Sequence, residues 1–347
     1  MSEKPSTFHA TCHCKTSTLS FTVPTCSLPL PTHFCHCSIC RRTHGTLCTI
    51  HTPIPKPEVN LSSFTAYASS SYVVRYFCST CGAHMLDRAK EDGKEESWCV
   101  ATSLVDADEQ TWSFTDHICL DGTVDGGLAG WLAEIEGKRL RMWRGKPTDE
   151  AEYEETGDWR PGPAVTLSET DSKSRQEDAL VAKCHCGGVE FHISRPLPSA
   201  FTQMPASLVP ADKNKWYGLT EACNSCRLVS GCAVIAWMFP LTSHITLPDG
   251  SPYRPDFGTA KIYKSSEGVE RTFCGRCGAM VVYATDERGA MVDVAAGLLM
   301  ADGARAEEWV EWRTGKVGWE RDCRWKGMLK GLKDGLRACG GKQVGDN

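Results

Sequence analysis

A set of cysteine pairs that occurs twice, in the same order, constrains this chain more than any other feature. TCHC supplies Cys12 and Cys14, CHCSICRRTHG supplies Cys35, Cys37 and Cys40, and RYFCSTCGA supplies Cys78 and Cys81. Later, KCHCGG supplies Cys184 and Cys186, ACNSCRLVSG supplies Cys223 and Cys226, and RTFCGRCGA supplies Cys274 and Cys277. The offsets are 172, 186 and 196 residues, growing as loop insertions in a second copy would make them grow. Gly45 and Gly231 keep the offset of 186, and Arg75 and Arg271 keep that of 196. A period this long exceeds the roughly 20–50 residues of solenoid repeats and means duplication of a whole domain. The expected organisation is a first domain at 1–146, an acidic connector at 147–178 and a second domain at 179–347.

The connector has ten acidic and three basic residues, so it carries -7 of the chain's net -5 and leaves the rest near +2. The acidity therefore belongs to a solvated linker, on which Trp159 is a docking candidate. This balance argues against a nucleic-acid binder that works by neutralising phosphates. No apolar run is long enough to span a bilayer, and the start MSEKPSTFHATCHC has no apolar h-region. The expectation is a cytoplasmic protein without membrane contact. In a reducing compartment, 20 cysteines in 347 residues more often bind metal or do chemistry than form disulfides.

Strand signals dominate each copy. SYVVRYF, AVIAWMF, TAKIY and MVVYA are short, β-branched or aromatic, and bounded by turn residues. GARAEEWVEW is a short helical candidate. KGMLKGLKDGLRA is another, with Met328, Leu329, Leu332 and Leu336 on one face, and is expected to dock as a terminal helix. The fold class is mainly β with few short helices, each copy a small, mainly antiparallel domain held by metal.

CxxCG points two thiolates at one ion, and its glycine supplies the tight backbone of the turn. A CxC pair likewise places two sulfurs on one side of an extended segment. Together they give four soft ligands, which suits tetrahedral structural zinc: Cys12, Cys14, Cys78 and Cys81 in the first copy, and Cys184, Cys186, Cys274 and Cys277 in the second. A redox CxxC is the competing reading. Cys35, Cys37 and Cys40 are only three thiolates. Closed by His33, His36 or His44 they would be structural; left open they would accept a substrate thiol as fourth ligand. In the second copy Glu221 stands where Cys35 does, before Cys223 and Cys226. That set is either a Glu/Cys/Cys site or a degenerate copy. Seven cysteines remain: Cys26, Cys48, Cys99, Cys119, Cys232, Cys323 and Cys339, read as small buried residues or free thiols.

The ordered pattern over both halves resembles the glutathione-dependent formaldehyde-activating family and its centromere-protein-V-like relatives. Stretches such as DGGLAGWLAEIEGKRLRMW and ARAEEWVEW resemble its tandem fungal branch. The resemblance implies two zinc-bearing β-tent domains, with structural zinc on the CxC and CxxC pairs and a catalytic zinc on Cys35, Cys37 and Cys40. It implies joining of glutathione and formaldehyde into an S-hydroxymethyl adduct, classed as a carbon–sulfur lyase in reverse. The chain departs from the pattern at Lys15 and Thr16, where the second copy has Gly187 and Gly188, and at Glu221. About three zinc ions are expected, with Arg41 and Arg75 as candidates to hold carboxylates of the thiol. His84 is read as a packed histidine, since Met280 fills its place in the other copy. The rival functions are a lyase or cyclase step in specialised metabolism at the same site, and a non-catalytic zinc module that binds glutathione or a protein partner.

Overall fold

The computed structural model describes residues 4–147 and 179–343. The acidic connector, Pro147 apart, lies outside the described residues together with Trp159. Each half has a small and a large sheet. The small sheets are Ser6–Thr11, Thr18–Val23 and Glu58–Val59 in the first half, and Ala179–Lys183, Glu190–Ser194 and Ile245–Thr246 in the second. The large sheet of the first half runs Phe64–Ala68, Val73–Cys78, His84–Ala89, Ser97–Ala101, Thr49–Ile54, Leu30–Cys35, Trp112–Ile118 and Arg141–Met142. The second runs Ala260–Ser266, Val269–Cys274, Met280–Thr285, Asp293–Ala295, Ile235–Met238, Trp216–Glu221 and Val310–Trp312. Over the seven strands they share the order is the same, and the parallel pair recurs: Leu30–Cys35 with Trp112–Ile118, and Trp216–Glu221 with Val310–Trp312. The remaining large-sheet pairs, Trp112–Ile118 with Arg141–Met142 excepted, are antiparallel.

The four strand motifs of the sequence lie in these sheets. GARAEEWVEW does not form a helix. Its end, Val310–Trp312, is a strand, because Val310 and Trp312 alternate with Glu311 and bury their side chains beside Gly218. Ala306, at φ +50°, breaks the helical path just before it. The terminal helix Lys326–Gln343 is present, and Met328, Leu329, Leu332 and Leu336 are buried. It docks on the first half. Glu109 accepts the main-chain N–H of Gly327 and Met328 at 2.9 and 2.8 Å, satisfying orphan donors of the helix start. Gly331 and Gly335 let the helix reach the carbonyls of Glu134 and Trp131, each 2.0 Å from where a Cβ would stand.

Several contacts between the halves are made twice with roles exchanged, as an approximate twofold would give. His13 N–H donates to Leu228 O and His185 N–H to Arg42 O, both at 3.1 Å. His13 Nδ1 meets the Tyr263 hydroxyl at 2.7 Å, and His185 Nδ1 the Tyr67 hydroxyl at 2.6 Å. Gly45 and Gly231 end the helices Ser38–His44 and Asn224–Ser230 in the left-handed region, at φ +74° and +78°. A Cβ there would stand 2.1 Å from Met280 O and 2.4 Å from His84 O, so close approach of the halves demands glycine as well. One hydrophobic core runs through both halves.

Candidate metal centres

Cys12 and Cys14 follow the strand Ser6–Thr11, while Cys78 ends a strand and Cys81 lies in the turn after it. The turn closes by Gly82 N–H donating to Cys78 O at 2.9 Å, with Gly82 at φ +81°. All four Sγ atoms lie within 4.8 Å of one another, as do those of Cys184, Cys186, Cys274 and Cys277. Main-chain N–H groups point at the sulfurs: Ser17 at Cys12 (3.4 Å), Val189 at Cys184 (3.3 Å), Gly188 at Cys186 (3.4 Å) and Cys277 at Cys274 (3.4 Å). Such donors favour thiolates, which a soft cation then holds together. Lys15 occupies φ +63°, the place of Gly187 at +71°, and both close the same turn onto the first cysteine's carbonyl at 3.1 Å. The lysine thus keeps the geometry at the cost of a strained backbone.

The trio Cys35, Cys37 and Cys40 also brings its three Sγ atoms within 4.8 Å. Cys35 ends a sheet strand, Cys37 caps the helix Ser38–His44, and its sulfur accepts from Cys40 N–H at 3.3 Å. None of the three candidate histidines joins them. His36 turns its Nε2 to His117 Nδ1 at 2.9 Å, His44 stacks on His84 at 4.1 Å, and His33 faces His51. Arg75 donates to Cys40 Sγ at 3.2 Å, to Asp87 at 2.8 Å and to Ser69 Oγ at 3.1 Å. The hydrogen bonds of Cys35 and Cys37, together with Arg75, hold the Cys40 thiol well below its ordinary value despite burial. Arg41 is turned to main-chain carbonyls, those of His36 and Gly122, at 3.2 and 3.3 Å. His84 is buried at the seam, its Nε2 on Cys277 O at 3.0 Å, and burial lowers it to about 3.

Cys119, which the sequence presents as a small buried residue or free thiol, lies near the trio. Cys119 packs against the cluster and interacts with Cys35. It stands at φ +61°, and its counterpart in the other half is Trp319 at +49°. The equivalence is fixed by the preceding residues, since Ile118 O accepts from His36 N–H and Gly318 O from Ala222 N–H. Cysteine and tryptophan share no chemistry, so no sequence signal links the two positions.

Glu221, Cys223 and Cys226 form the fourth set, again with ligand atoms within 4.8 Å. Arg271 donates to Cys226 Sγ at 3.4 Å, as Arg75 does to Cys40. A model of the glutathione-dependent formaldehyde-activating enzyme family matches residues 7–120 and 212–314. The chain belongs to that family. No curated protein matches it. The two matched segments of this family member carry an all-cysteine set and a mixed set at equivalent strand-to-helix turns of the two large sheets. Among the described residues, four groups of cysteines, one including a glutamate, are able to hold metal ions. Among the described residues, no helix is long and apolar enough to cross a membrane.

Proposed function

We propose that the chain is a zinc-dependent enzyme of carbon–sulfur lyase type, in which the first of two successive domains, 1–146 and 179–347, joins glutathione to an aldehyde such as formaldehyde. The observation that carries this reading is the trio of Cys35, Cys37 and Cys40, which gathers three sulfurs with no histidine or carboxylate in the set among the described residues. Zinc, when bound there, lowers the pKa of an incoming thiol and offsets negative charge on the aldehyde oxygen. The two four-cysteine sets are read as structural zinc sites.

The chain's own residues divide the remaining work. Cys35, Cys37 and Cys40 would hold the ion, and Arg75 compensates their charge through Cys40 while Asp87 and Ser69 fix its guanidinium. Arg41 ties the loop after Cys35 to Gly122. A cavity of about 330 Å³ is lined by His33, Ile118 and Lys146, and Ile118 packs on the trio. Lys146 gives that wall a cation for a carboxylate of the thiol. In the forward direction the thiolate sulfur attacks the carbonyl carbon and a C–S bond forms. The carbonyl π pair moves to oxygen, which takes up the proton that the thiol released. The reverse step breaks the same bond.

Formaldehyde and thiols also combine unaided, so the test is rate above background. Adduct formation is followed by exchange spectroscopy with wild type and with Cys37→Ala. Acceleration by wild type that disappears in the variant supports the enzyme. Glutathione binding without acceleration would leave only the carrier module, and no binding at all would refute the thiol site.

A further inference from the structure

In the second half, Cys35 is replaced by Glu221, which reads at first as decay of a metal site. The surroundings of Glu221 say otherwise. Its carboxylate is buried (6% exposed), with no ion pair among the described residues. Its Oε1 accepts one hydrogen bond, from the Trp237 indole N–H at 2.8 Å. Arg271 acts on it electrostatically but gives its hydrogen bonds to Cys226 Sγ and Ser265 Oγ, so the hydration lost by the buried carboxylate is returned only in part. The two neighbouring thiols aim at the same point, and the three ligand atoms lie within 4.8 Å.

The replacement is matched by its neighbours. Trp237 occupies the place of His51, each paired across the sheet with the next strand, Trp237 with Ala295 and His51 with Ala101. The imidazole near three thiols has become an indole donor where a carboxylate must be oriented. Gly318 runs beside Glu221, and a Cβ there would stand 3.0 Å from the Glu221 Cβ. The set opens on a cavity of about 270 Å³ lined also by Arg271, Tyr283, Arg288 and Trp319. Trp319 stands at its rim, 67% exposed and in the left-handed region. Carboxylate oxygen and two thiolates are a donor set that zinc accepts, and the adjoining cavity admits an exchangeable fourth donor.

We infer that Glu221, Cys223 and Cys226 form a second, working divalent-metal centre of the zinc class, held in shape by the Trp237 indole. The sequence expectation of three ions per chain becomes four. The inference does not depend on catalysis by the first half.

The test uses the full chain loaded with Zn2+ or Co2+, with metal per chain from elemental analysis. Cys223→Ser is expected to lose one equivalent relative to wild type whatever the total, and an unchanged count would overturn the inference. Cys37→Ala reports separately on the first half, so failure of one reading is distinguishable from failure of the other. Glu221→Cys covers the case in which a loss variant does not fold. It is expected to keep the ion and, with Co2+, to add thiolate-to-cobalt charge-transfer absorption. An unchanged cobalt spectrum would mean that residue 221 does not touch the metal. Trp237→Phe is expected to keep the site with metal affinity weakened about 10-fold or more, as loss of a ligand-orienting hydrogen bond does. Affinity equal to wild type would remove the indole from the proposal.

Discussion

The two halves share strand order, helix placement and four-cysteine sets, yet differ at the third set of ligands. In the first half, three thiols face an arginine that is itself held by Asp87. In the second, the arginine remains on Cys226, but its partners change: Arg271 lies over the Tyr283 ring at 4.9 Å, and the aspartate has moved to the adjacent strand, where Asp293 pairs with Arg288. The sets thought to be structural vary little, whereas the open sets vary together with their surroundings. A common scaffold therefore fixes where the ligand atoms gather, and the residues around them decide what surrounds each set. The seam shows the same pattern at lower cost. The first half contributes the His44–His84 stack, and the second contributes Ser230 and Met280 at the equivalent places.

The largest expected effect tests what the halves have in common. Cys78→Ser and Cys274→Ser each remove a ligand from a four-sulfur set, and zinc in such sites contributes roughly 10–16 kcal/mol in small peptides. Because one core runs through both halves, each variant is expected to lose the native near-UV circular dichroism of the whole chain. Local loss confined to one half would break the comparison by making the domains independent.

Next comes the difference between the open sets. Cys37→Ala is expected to reduce adduct formation at least 100-fold, about 3 kcal/mol, while Cys223→Ala leaves it within twofold. Equal losses would mean that both halves act on the thiol.

The seam gives a pH test. Burial lowers His84 to about 3, so between pH 6.5 and that value the unfolded chain binds more protons than the folded one. Stability is therefore lost as pH falls through this window, by up to about 1.4 kcal/mol per pH unit for this histidine. His84→Met, copying Met280, should flatten the slope in urea titrations at several pH values; an unchanged slope would remove His84 from the acid response.

The smallest effect is at the turn after the first cysteine pair. Lys15→Gly should relieve the left-handed strain and stabilise by about 0.5–1 kcal/mol, and Gly187→Lys should destabilise by about 1 kcal/mol. Differential scanning calorimetry reads both; a destabilised Lys15→Gly would show that the lysine side chain outweighs its backbone strain.

The ligand sets were legible because CxC and CxxC are local: spacing of two or three residues nearly dictates where the sulfurs point. The strand Val73–Cys78 and the terminal helix were legible from side-chain period and composition. Val310–Trp312 was not, since three residues carry too little pattern and its strand state comes from Trp216–Glu221 alongside. The pairing of His51 with the first set, of Trp237 with Glu221, and of Cys119 with Cys35 depends on sheet register between distant segments, which no local spacing encodes. Duplication was the one long-range signal available. It transferred Arg75 to Arg271 correctly but could not show that Arg41 turns away to main-chain carbonyls.

The docking of Lys326–Gln343 also has a consequence for how the chain is made. The helix covers the hairpin of Glu134–Ile135 and Lys138–Arg139, which leaves the ribosome roughly 190 residues earlier. At about 5–20 residues per second, that surface of the first half waits roughly 10–40 s for its cover. During translation the first half is thus an incomplete body with an apolar flank exposed.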